Sequence, residues 1–235
     1  MSNKIGKKII GIDIGGTKIR GVLWNGKKVL KTTELSTPQN LSSFKQSLFK
    51  IIRILGGTNR IAIGVAGIVS GKKIIKSPNI PYIKNFDFLA TNFNFKVMAL
   101  DNDARCFGHA EYRIGKAVSK KSVFFITIGT GIGRAFGKNG KILKIKKFEC
   151  PEQWERGYQK LRNSKNDKAL PEFLGNKIEK LIKPYNPQLM IVGGGMFRQK
   201  GFLKNFKKNI NMPVKKARFY KNAVAVGAAM KLISM

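Results

Sequence analysis

Two glycine-rich turns in this sequence have the residue types that bind phosphate groups. The first lies in the segment GIDIGGTK at residues 11–18, directly after an apolar stretch. Glycines permit a tight turn and let backbone N–H groups approach an anion closely, and the threonine adds a hydroxyl donor. The aspartate precedes the turn, where it is suited to hold a hydrated Mg²⁺ near phosphates. We therefore favour phosphate binding over an ordinary glycine hairpin, with Asp13, Gly15, Gly16, Thr17 and Lys18 as the predicted ligands.

The second turn is IGTGIG at residues 128–133, which again follows an apolar stretch. A glycine pattern of this kind is similar to a dinucleotide-binding fingerprint, but that fingerprint opens a helix. Residues 134–136 and the Asn139-Gly140 pair instead indicate a return strand and a further turn, so we reject the dinucleotide interpretation. Two phosphate-binding hairpins would hold a polyphosphate chain from both sides. The predicted ligands of the second are Gly129, Thr130 and Gly131, with the charge of Arg134 beside them.

Two further segments at strand ends are open to a chemical or a structural interpretation. Asp101-Asn102-Asp103 offers a carboxylate that accepts the proton of an attacking hydroxyl, but Asp and Asn also cap helices. VGGG at residues 192–195 offers a flat backbone surface for a nucleoside, but it also suits a plain turn from strand to helix. For each segment, the residues alone leave both the chemical and the structural interpretation open.

The elements that must position these segments repeat one theme in each half of the chain. Apolar stretches and turn residues predict strand, glycine turn and strand at the start of both halves. This repetition predicts two related lobes with a ligand-binding cleft between them. The predicted lobes are residues 1–113, completed by a last helix within 222–235, and residues 114–221. Strands are expected at 8–13, 19–24, 28–32, 60–65, 95–100, 122–128, 134–136 and 188–192, and helices at 41–55, 104–112, 170–182 and 222–233.

The composition restricts the class of protein. No apolar stretch approaches the roughly 18 residues that a membrane helix needs, so no membrane partner is expected. Cys106 and Cys150 form neither a CxxC pair nor a disulfide framework, and the N-terminus lacks the apolar core of a signal peptide, so a cytoplasmic protein is expected. The 46 Lys and Arg against 12 Asp and Glu give a formal net charge of +34, which attracts polyanions. Compositional drift is the alternative explanation of this charge, and the sequence leaves it open.

Taken together, the motifs resemble one known family. The ordered set GIDIGGTK, GVAGIV, SPN, DNDA, GTGIG and VGGG, followed by VAVGAA in the last helix, is similar to the ROK family of sugar kinases and repressors. The polyphosphate glucokinase branch is the closer likeness, because it shares NDA followed by a Gly and an Ala-Glu pair in the same helix. The resemblance covers nearly the whole chain. It implies an α/β, two-lobed actin-like ATPase (ribonuclease H-like) fold with the active site in the cleft between the lobes.

The resemblance also implies a reaction and a role for each matching residue. The reaction transfers the terminal phosphoryl group of ATP, polyphosphate or both to a hexose hydroxyl, most simply the 6-hydroxyl of glucose, with Mg²⁺ held by Asp13 through water. Asp103 matches the general base, and Asn79 and Asn102 match sugar ligands. The two glycine turns match the phosphate loops, and the nucleoside-side turn is matched by Gly193, Gly194 and Gly195.

Departures from the family pattern limit what the resemblance predicts. Most ROK proteins follow the second phosphate hairpin with G-E-x-G-H and a zinc-binding cysteine cluster, but residues 147–155 are KFECPEQWE. We therefore expect no zinc, and either Glu149 or Glu152 matches the family's sugar-binding glutamate. Arg134 stands where the family usually has Gly or Ser. The first phosphate loop begins at Gly11, which leaves no room for the helix-turn-helix of ROK repressors, so sequence-specific DNA binding is not expected.

Two classes of function therefore remain. The first is a glucokinase-like enzyme acting on a small sugar, with homodimer formation left open. The second is a non-catalytic protein of the same fold that binds nucleic acid or another polyanion through its basic surface. The altered segment at residues 144–155 favours the second class, whereas Asp103 favours the first. We favour the enzyme.

Overall fold

The computed structural model describes residues 8–91, 93–164 and 168–233, which divide into two compact units. The first contains the described residues of Met1–Ala110 and Asn222–Met235, and the second those of Glu111–Lys221. Within the described ranges, no helix is long and apolar enough to cross a membrane. The elements are β1 (Ile9–Ile14), β2 (Lys18–Trp24), β3 (Val29–Ser36), α1 (Leu41–Ile54), β4 (Ile61–Val65), β5 (Ile68–Ser70), β6 (Lys73–Lys76), β7 (Phe86–Asp87), β8 (Val97–Asn102), α2 (Asp103–Ile114), β9 (Ser122–Ile128), β10 (Ile132–Lys138), β11 (Lys141–Leu143), α3 (Glu155–Asn163), α4 (Ala169–Ile182), β12 (Leu189–Gly193), α5 (Phe202–Lys207), β13 (Val214–Lys216) and α6 (Ala223–Lys231).

The main sheet of the first unit has the strand order β3-β2-β1-β4-β8. β1, β2 and β3 pair antiparallel, whereas β1, β4 and β8 run parallel. Every residue of β1 and β4 is buried, as expected for apolar strands that are covered on both faces. Because the three parallel strands end together, Ile14, Val65 and Asn102 lie in register at one edge of the sheet. The first glycine turn and the DND triplet, which the sequence predicts to be functional, lie at this carboxyl edge.

Helix α6 packs unusually closely on the first unit because two glycines remove the side chains in its way. A Cβ at residue 11 would lie 1.9 Å from the carbonyl oxygen of Ala225, and a Cβ at residue 227 would lie 1.7 Å from that of Cys106. No larger residue fits either position without displacing the backbone. The helix therefore holds two segments in place: the part of β1 that precedes Asp13 and the part of α2 that follows Asp103.

The second unit has a sheet of order β11-β10-β9-β12-β13, in which β9 and β10 form a hairpin and β12 lies parallel to β9. Its core is separate from that of the first unit and contains side chains of the sheet and of α3, α4 and α5, among them Phe124, Tyr158, Leu174 and Phe206. The hairpin ends at the second glycine turn, residues 129–131. The parallel pairing brings the end of β12 beside it, because Gly193 pairs with Thr127.

Glu111 is a fully buried acid that holds two segments of the second unit together. Its carboxylate accepts hydrogen bonds from the backbone N–H groups of Lys116 (2.9 Å), Arg218 (2.7 Å) and Phe219 (3.2 Å). Three charge-assisted hydrogen bonds compensate the cost of burying the carboxylate. The Glu111 of the sequence motif is therefore a structural residue that anchors the turn after α2 to the chain before α6.

The predicted α/β fold class is confirmed, and the predicted glycine hairpins and longer helices lie within a few residues of their expected bounds. The three-stranded sheet of β5, β6 and β7 was not predicted, and neither were α3, α5, β11 and β13. These elements are short, and α3 contains mostly polar and charged residues. Their stability comes from tertiary contacts, which a local pattern does not reveal.

Candidate active site

Asp13 and Asp103 form an acidic pair at the carboxyl edge of the first unit's main sheet. Asp13 is the penultimate residue of β1, and Asp103 begins α2 directly after β8. Burial and the charge of Asp103 raise the pKa of Asp13 to about 7, although Arg20 lies 3.8 Å away and opposes the shift. Burial also raises the pKa of Asp103 to about 6, against a hydrogen bond from the Ala104 backbone. Both acids therefore titrate near neutral pH, as groups that bind cations or move protons often do.

The first glycine turn, residues 15–17, contacts the predicted sugar ligand Asn79. A Cβ at residue 16 would lie 2.6 Å from the Cβ of Asn79, so Gly16 is packed directly against this side chain. The turn is closed by a hydrogen bond from the Gly15 N–H to the Lys18 carbonyl at 3.1 Å. The hydroxyl of Thr37 donates to the Gly15 carbonyl at 2.6 Å and holds it from the β3 side.

Residues 66–67 connect Asn79's segment to the aspartate triplet. The hydroxyl of Ser77 donates to the carbonyl of Ala66 at 2.7 Å, and the side-chain amide of Asn102 donates to the carbonyl of Gly67 at 3.0 Å. The structure thus brings the first glycine turn, the SPN segment and the DND segment to one place. The backbone carbonyls of the Ala-Gly pair in the GVAGIV motif therefore join the other two segments.

The three residues of the triplet have different environments. Asp101 is buried and paired with Arg105 at 2.6 Å and with Lys231, and these cations hold its pKa below the usual range despite burial. Asn102 caps α2, because its Oδ1 accepts from the N–H groups of residues 104 and 105 at 3.0 and 3.2 Å. Asp103 has the raised pKa described above. The capping interpretation therefore applies to Asn102, while Asp101 is a structural ion-pair residue and Asp103 is the acid with the raised pKa.

Lys18 contacts a protein carboxylate. Its ammonium group pairs with Glu34, which also receives the Nε of Arg20 at 2.6 Å. Hydrogen bonds from Lys18 and then Arg20 lower the pKa of Glu34 to about 2. The pairing crosses β2 and β3 and holds the end of the first glycine turn. Lys18 thus lies next to the turn, and its positive charge is already balanced by Glu34.

The second glycine turn and the turn after β12 touch each other. Gly194 has φ of +95°, and a Cβ there would lie 2.3 Å from the carbonyl oxygen of Ile128, the residue before the second glycine turn. Glycine is required at 194 for both reasons. The predicted nucleoside-side residues Gly194 and Gly195 are exposed, whereas Gly193 is buried as the last residue of β12. The second unit therefore presents two glycine turns side by side.

Helix α3 holds the second glycine turn through its carbonyl oxygens. The hydroxyl of Tyr158 donates to the Gly129 carbonyl, and the guanidinium of Arg162 donates to the carbonyls of Gly129 and Thr130 at 3.2 and 2.7 Å. The side-chain amide of Gln159 donates to the Thr130 carbonyl at 2.8 Å. Sequence reasoning missed these residues, because nothing in a polar nine-residue stretch points to a loop about 30 positions earlier.

Arg134 lies in a different place from the one expected. Its side chain is 1% exposed, pairs with Glu155 at 2.7 Å and Glu152 at 3.4 Å, and donates to the carbonyl of Cys150 at 2.8 Å. We expected a charge presented beside the second glycine turn. The positive charge is instead balanced inside the fold, where it fixes the chain before α3. Arg134 is therefore a structural residue, and Arg162 is the arginine in contact with the turn.

Of the two candidate sugar glutamates, Glu152 has a defined orientation. Its Oε2 accepts from the indole N–H of Trp154 at 2.9 Å, its Oε1 faces Arg134, and its side chain is 36% exposed. The carboxylate is thus held in place and still accessible. Glu149 lies in the preceding single turn of 3₁₀ helix and is partly buried. Both glutamates are partly accessible and stay candidates for the sugar-binding position.

The comparison with protein families decides the family of this chain. Residues 9–145 match the model of the ROK family. The chain belongs to the ROK family. The polyphosphate glucokinase of Mycobacterium tuberculosis is 27% identical over 95% of this chain and 91% of that protein. The β-glucoside kinase of Listeria monocytogenes is 32% identical, over 62% of this chain and 51% of that protein.

Solved structures of ROK proteins have the same fold. The polyphosphate/ATP-glucomannokinase of Arthrobacter sp. strain KM aligns with a TM-score of 0.81 at 26% identity, over 97% of this chain and 98% of that one. The ROK glucokinase of Streptomyces griseus, solved with glucose and AMPPNP, aligns with a TM-score of 0.79 at 21% identity over 95% and 98%. A ROK transcriptional regulator aligns with a TM-score of 0.68 at 17% identity, over 98% of this chain and 78% of that one. Since kinases and a regulator share the fold, the site residues must distinguish the functions.

Proposed function

We propose that this ROK protein is a carbohydrate kinase of the glucokinase type, with Asp103 as the general base. The observation that carries the proposal is the contrast between Asp101 and Asp103 at the same strand end. Cations neutralise Asp101, whereas burial beside Asp13 raises the pKa of Asp103 to about 6. Two acids with pKa values pushed apart by their environments are a recurring arrangement in acid–base catalysis. Binding of a polyanion through a basic surface does not itself need a carboxylate that titrates near neutral pH.

In the proposed reaction a sugar hydroxyl lies within hydrogen-bond reach of Asp103. The carboxylate accepts the hydroxyl proton as the oxygen attacks the terminal phosphorus of the donor, and the bond from that phosphorus to the leaving oxygen breaks. A base with a pKa near 6 is largely ionised at neutral pH, yet it retains enough proton affinity to assist the attack. Most of the rate in phosphoryl transfer comes from positioning and charge stabilisation. The glycine turns and Asp13 serve those two purposes here.

The acidic pair fits a Mg²⁺ ion. Asp13 is buried, and its pKa is raised to about 7 by burial and by the neighbouring Asp103, so a cation would relieve the cost of its charge. Mg²⁺ commonly binds through one or two carboxylates and retains several waters. Asp13 would hold such an ion through water, and the ion would supply charge neutralisation of the donor phosphates. We propose no zinc, which elemental analysis of the purified protein can test.

The proposed sugar ligands are Asn79, Asn102 and one of the two glutamates. The amide of Asn102 is already engaged with Gly67 and the start of α2, so it is rigid and contributes only its remaining N–H. Asn79 is held against Gly16 and is the ligand most directly tied to the phosphate site. The names of the relatives favour a hexose, and glucose before other hexoses.

The proposed donor is ATP, polyphosphate or both. The relatives include proteins named for polyphosphate and for ATP. The formal net charge of +34 suits a long polyanionic donor, whose many phosphates can contact several cations at once. We propose Lys204, Lys207 and Lys208, which are exposed on and after α5, as members of the polyphosphate-binding surface.

The test of the proposed function is a matrix of hexoses against ATP and polyphosphate, each with Mg²⁺. Sugar phosphate is identified by mass spectrometry and its position by NMR. We expect glucose 6-phosphate as the main product with at least one donor. If no sugar in the panel is phosphorylated by either donor while polyanions still bind, the non-catalytic polyanion-binding class is the better account.

A further inference from the structure

Helix α3 contacts the second glycine turn on a side that presents carbonyl oxygens. Tyr158, Gln159 and Arg162 together donate four hydrogen bonds to the carbonyls of residues 129 and 130. The peptide bonds of the described residues are trans, so each carbonyl points opposite to the N–H of the next residue. The N–H groups of residues 130 and 131 are therefore directed away from α3. A turn that binds phosphate needs its N–H groups on one accessible side.

The helix itself is held rigidly at its start. Glu155, its first residue, is paired with the buried Arg134 of β10, and it also accepts the N–H of Glu152 at 2.8 Å. β10 is the strand that leaves the second glycine turn, so turn, strand and helix form a closed loop of contacts. Tyr158 is fully buried, and burial raises the pKa of its phenol, which keeps the hydroxyl protonated as a donor. The guanidinium of Arg162 lies over the Tyr158 ring at 5.7 Å.

We infer that Tyr158 and Arg162 are positioning residues that hold the second glycine turn with its N–H groups toward the phosphoryl donor. The inference rests on the proposed function for its reaction, but the turn's affinity for a phosphate chain can be measured without turnover. Arg162 also keeps a positive charge beside the turn, where Arg134 had been expected to supply it. The fixed turn favours tight donor binding because no ordering cost is paid when the donor arrives.

The test compares four variants of α3. Tyr158→Phe removes one hydroxyl and keeps the ring, and Arg162→Gln removes the charge and the paired donors. Arg162→Lys keeps the charge but loses the planar fork that reaches two carbonyls. Lys160→Gln is the matched control, because Lys160 is exposed on the same helix and its loss changes the net charge equally. The probes are a non-hydrolysable ATP analogue and polyphosphate, titrated by calorimetry, with melting temperature and steady-state kinetics measured in parallel.

We expect the Kd of the ATP analogue and the KM of the donor to rise about tenfold in Tyr158→Phe and in both Arg162 variants, which is the size of losing one or two hydrogen bonds. The KM of the sugar should stay within about twofold of the wild type, since the turn does not contact the sugar in this scheme. Lys160→Gln should match the wild type in every measurement.

Three results would overturn the inference. The first is unchanged analogue binding in Tyr158→Phe and Arg162→Lys, whatever their melting temperatures. The second is an equal rise of donor and sugar KM, which is the sign of a general structural role. The third is a wild type that binds neither probe, because the turn would then not be a phosphate site. A wild type that binds the probes but phosphorylates no sugar would instead overturn only the proposed function.

Discussion

Gly16 and Asn79 are packed so closely that a Cβ on residue 16 would come within 2.6 Å of the Cβ of Asn79. The proposed phosphate turn and the proposed sugar ligand therefore share one steric boundary, and a shift of one displaces the other. Such contact is useful in a kinase, because donor and acceptor must be aligned to within a fraction of an ångström. Because of this contact, even one methyl group added at residue 16 should disturb the turn or Asn79.

Gly16→Ala should impair both substrates at once. The added methyl must displace Asn79 or the turn, and overpacking of this kind costs about 1–3 kcal/mol. We expect the KM of sugar and donor to rise together and the melting temperature to fall by several degrees. Gly129→Ala is the steric contrast, because a Cβ there meets nothing within 4 Å, and its melting temperature should match the wild type. A wild-type KM for the sugar in Gly16→Ala would contradict the shared boundary.

The acidic pair predicts a pH dependence of catalysis. Asp103 must be ionised to accept a proton, and a carboxylate is ionised above its pKa. With the pKa of Asp103 at about 6 and that of Asp13 at about 7, kcat/KM should fall as pH decreases through this range. Because the two carboxyl groups interact, the fall of kcat/KM at low pH reports the titration of the pair and not of either residue alone. A profile from pH 5 to 9 at constant ionic strength tests this, and a rate independent of pH down to 5 would contradict it.

Glu111→Ala should destabilise the second unit severely. The change leaves three partly buried backbone N–H groups without their acceptor, at a cost of about 1–3 kcal/mol for each that stays unpaired and shielded from water. Urea denaturation followed by circular dichroism measures the loss. Glu111→Gln is the milder comparison, because its carbonyl oxygen still accepts while its amide group cannot. Wild-type stability in both variants would show that these hydrogen bonds contribute little.

Salt should distinguish the two proposed donors. A long polyphosphate releases counterions at each contact, so its KM should rise steeply with salt, whereas ATP offers few charges and should respond much less. Replacing Lys204, Lys207 and Lys208 with Gln should flatten the salt dependence for polyphosphate only. The control replaces Lys27, Lys28 and Lys50 with Gln, three exposed lysines of the first unit. Equal salt dependence of both donors in all three proteins would argue that the charge has no role in donor binding.

Local patterns were sufficient to predict the parts of the fold that depend on neighbouring residues. The apolar stretch ending at Ile14 and the glycines after it predict the first hairpin, and the spacing of Phe44, Leu48 and Ile51 predicts α1. The DND triplet shows the limit of such reasoning. Asp101 is neutralised by Arg105, four positions away, together with Lys231, 130 positions away in the sequence, and a strand-end pattern has no information about the distant partner.

The placement of Arg134 could not be predicted for the same reason. A charged residue in a strand next to a phosphate turn suggests exposure, because buried arginines are rare. Its burial depends on Glu155, which lies at the start of a helix that the polar sequence of residues 155–163 does not indicate. The contacts of α3 with the second glycine turn follow from the same unpredicted helix. Tertiary structure was therefore needed for the residues that support the site.

Asp103→Asn tests the central claim most directly, by the rate of sugar phosphate formation at pH 8. Loss of a general base costs on the order of 10²–10⁴ in rate, so we expect a fall of that size with binding of the ATP analogue retained. Because burial raises the pKa of Asp103 from 3.8 to about 6, its ionisation costs stability progressively between these pH values and in full at pH 8, so the variant should melt at or above the wild-type temperature there. Asp87→Asn is the control, since Asn preserves the acceptor for the N–H of Leu89. A kcat in Asp103→Asn close to that of the wild type would contradict the assignment of Asp103 as the base.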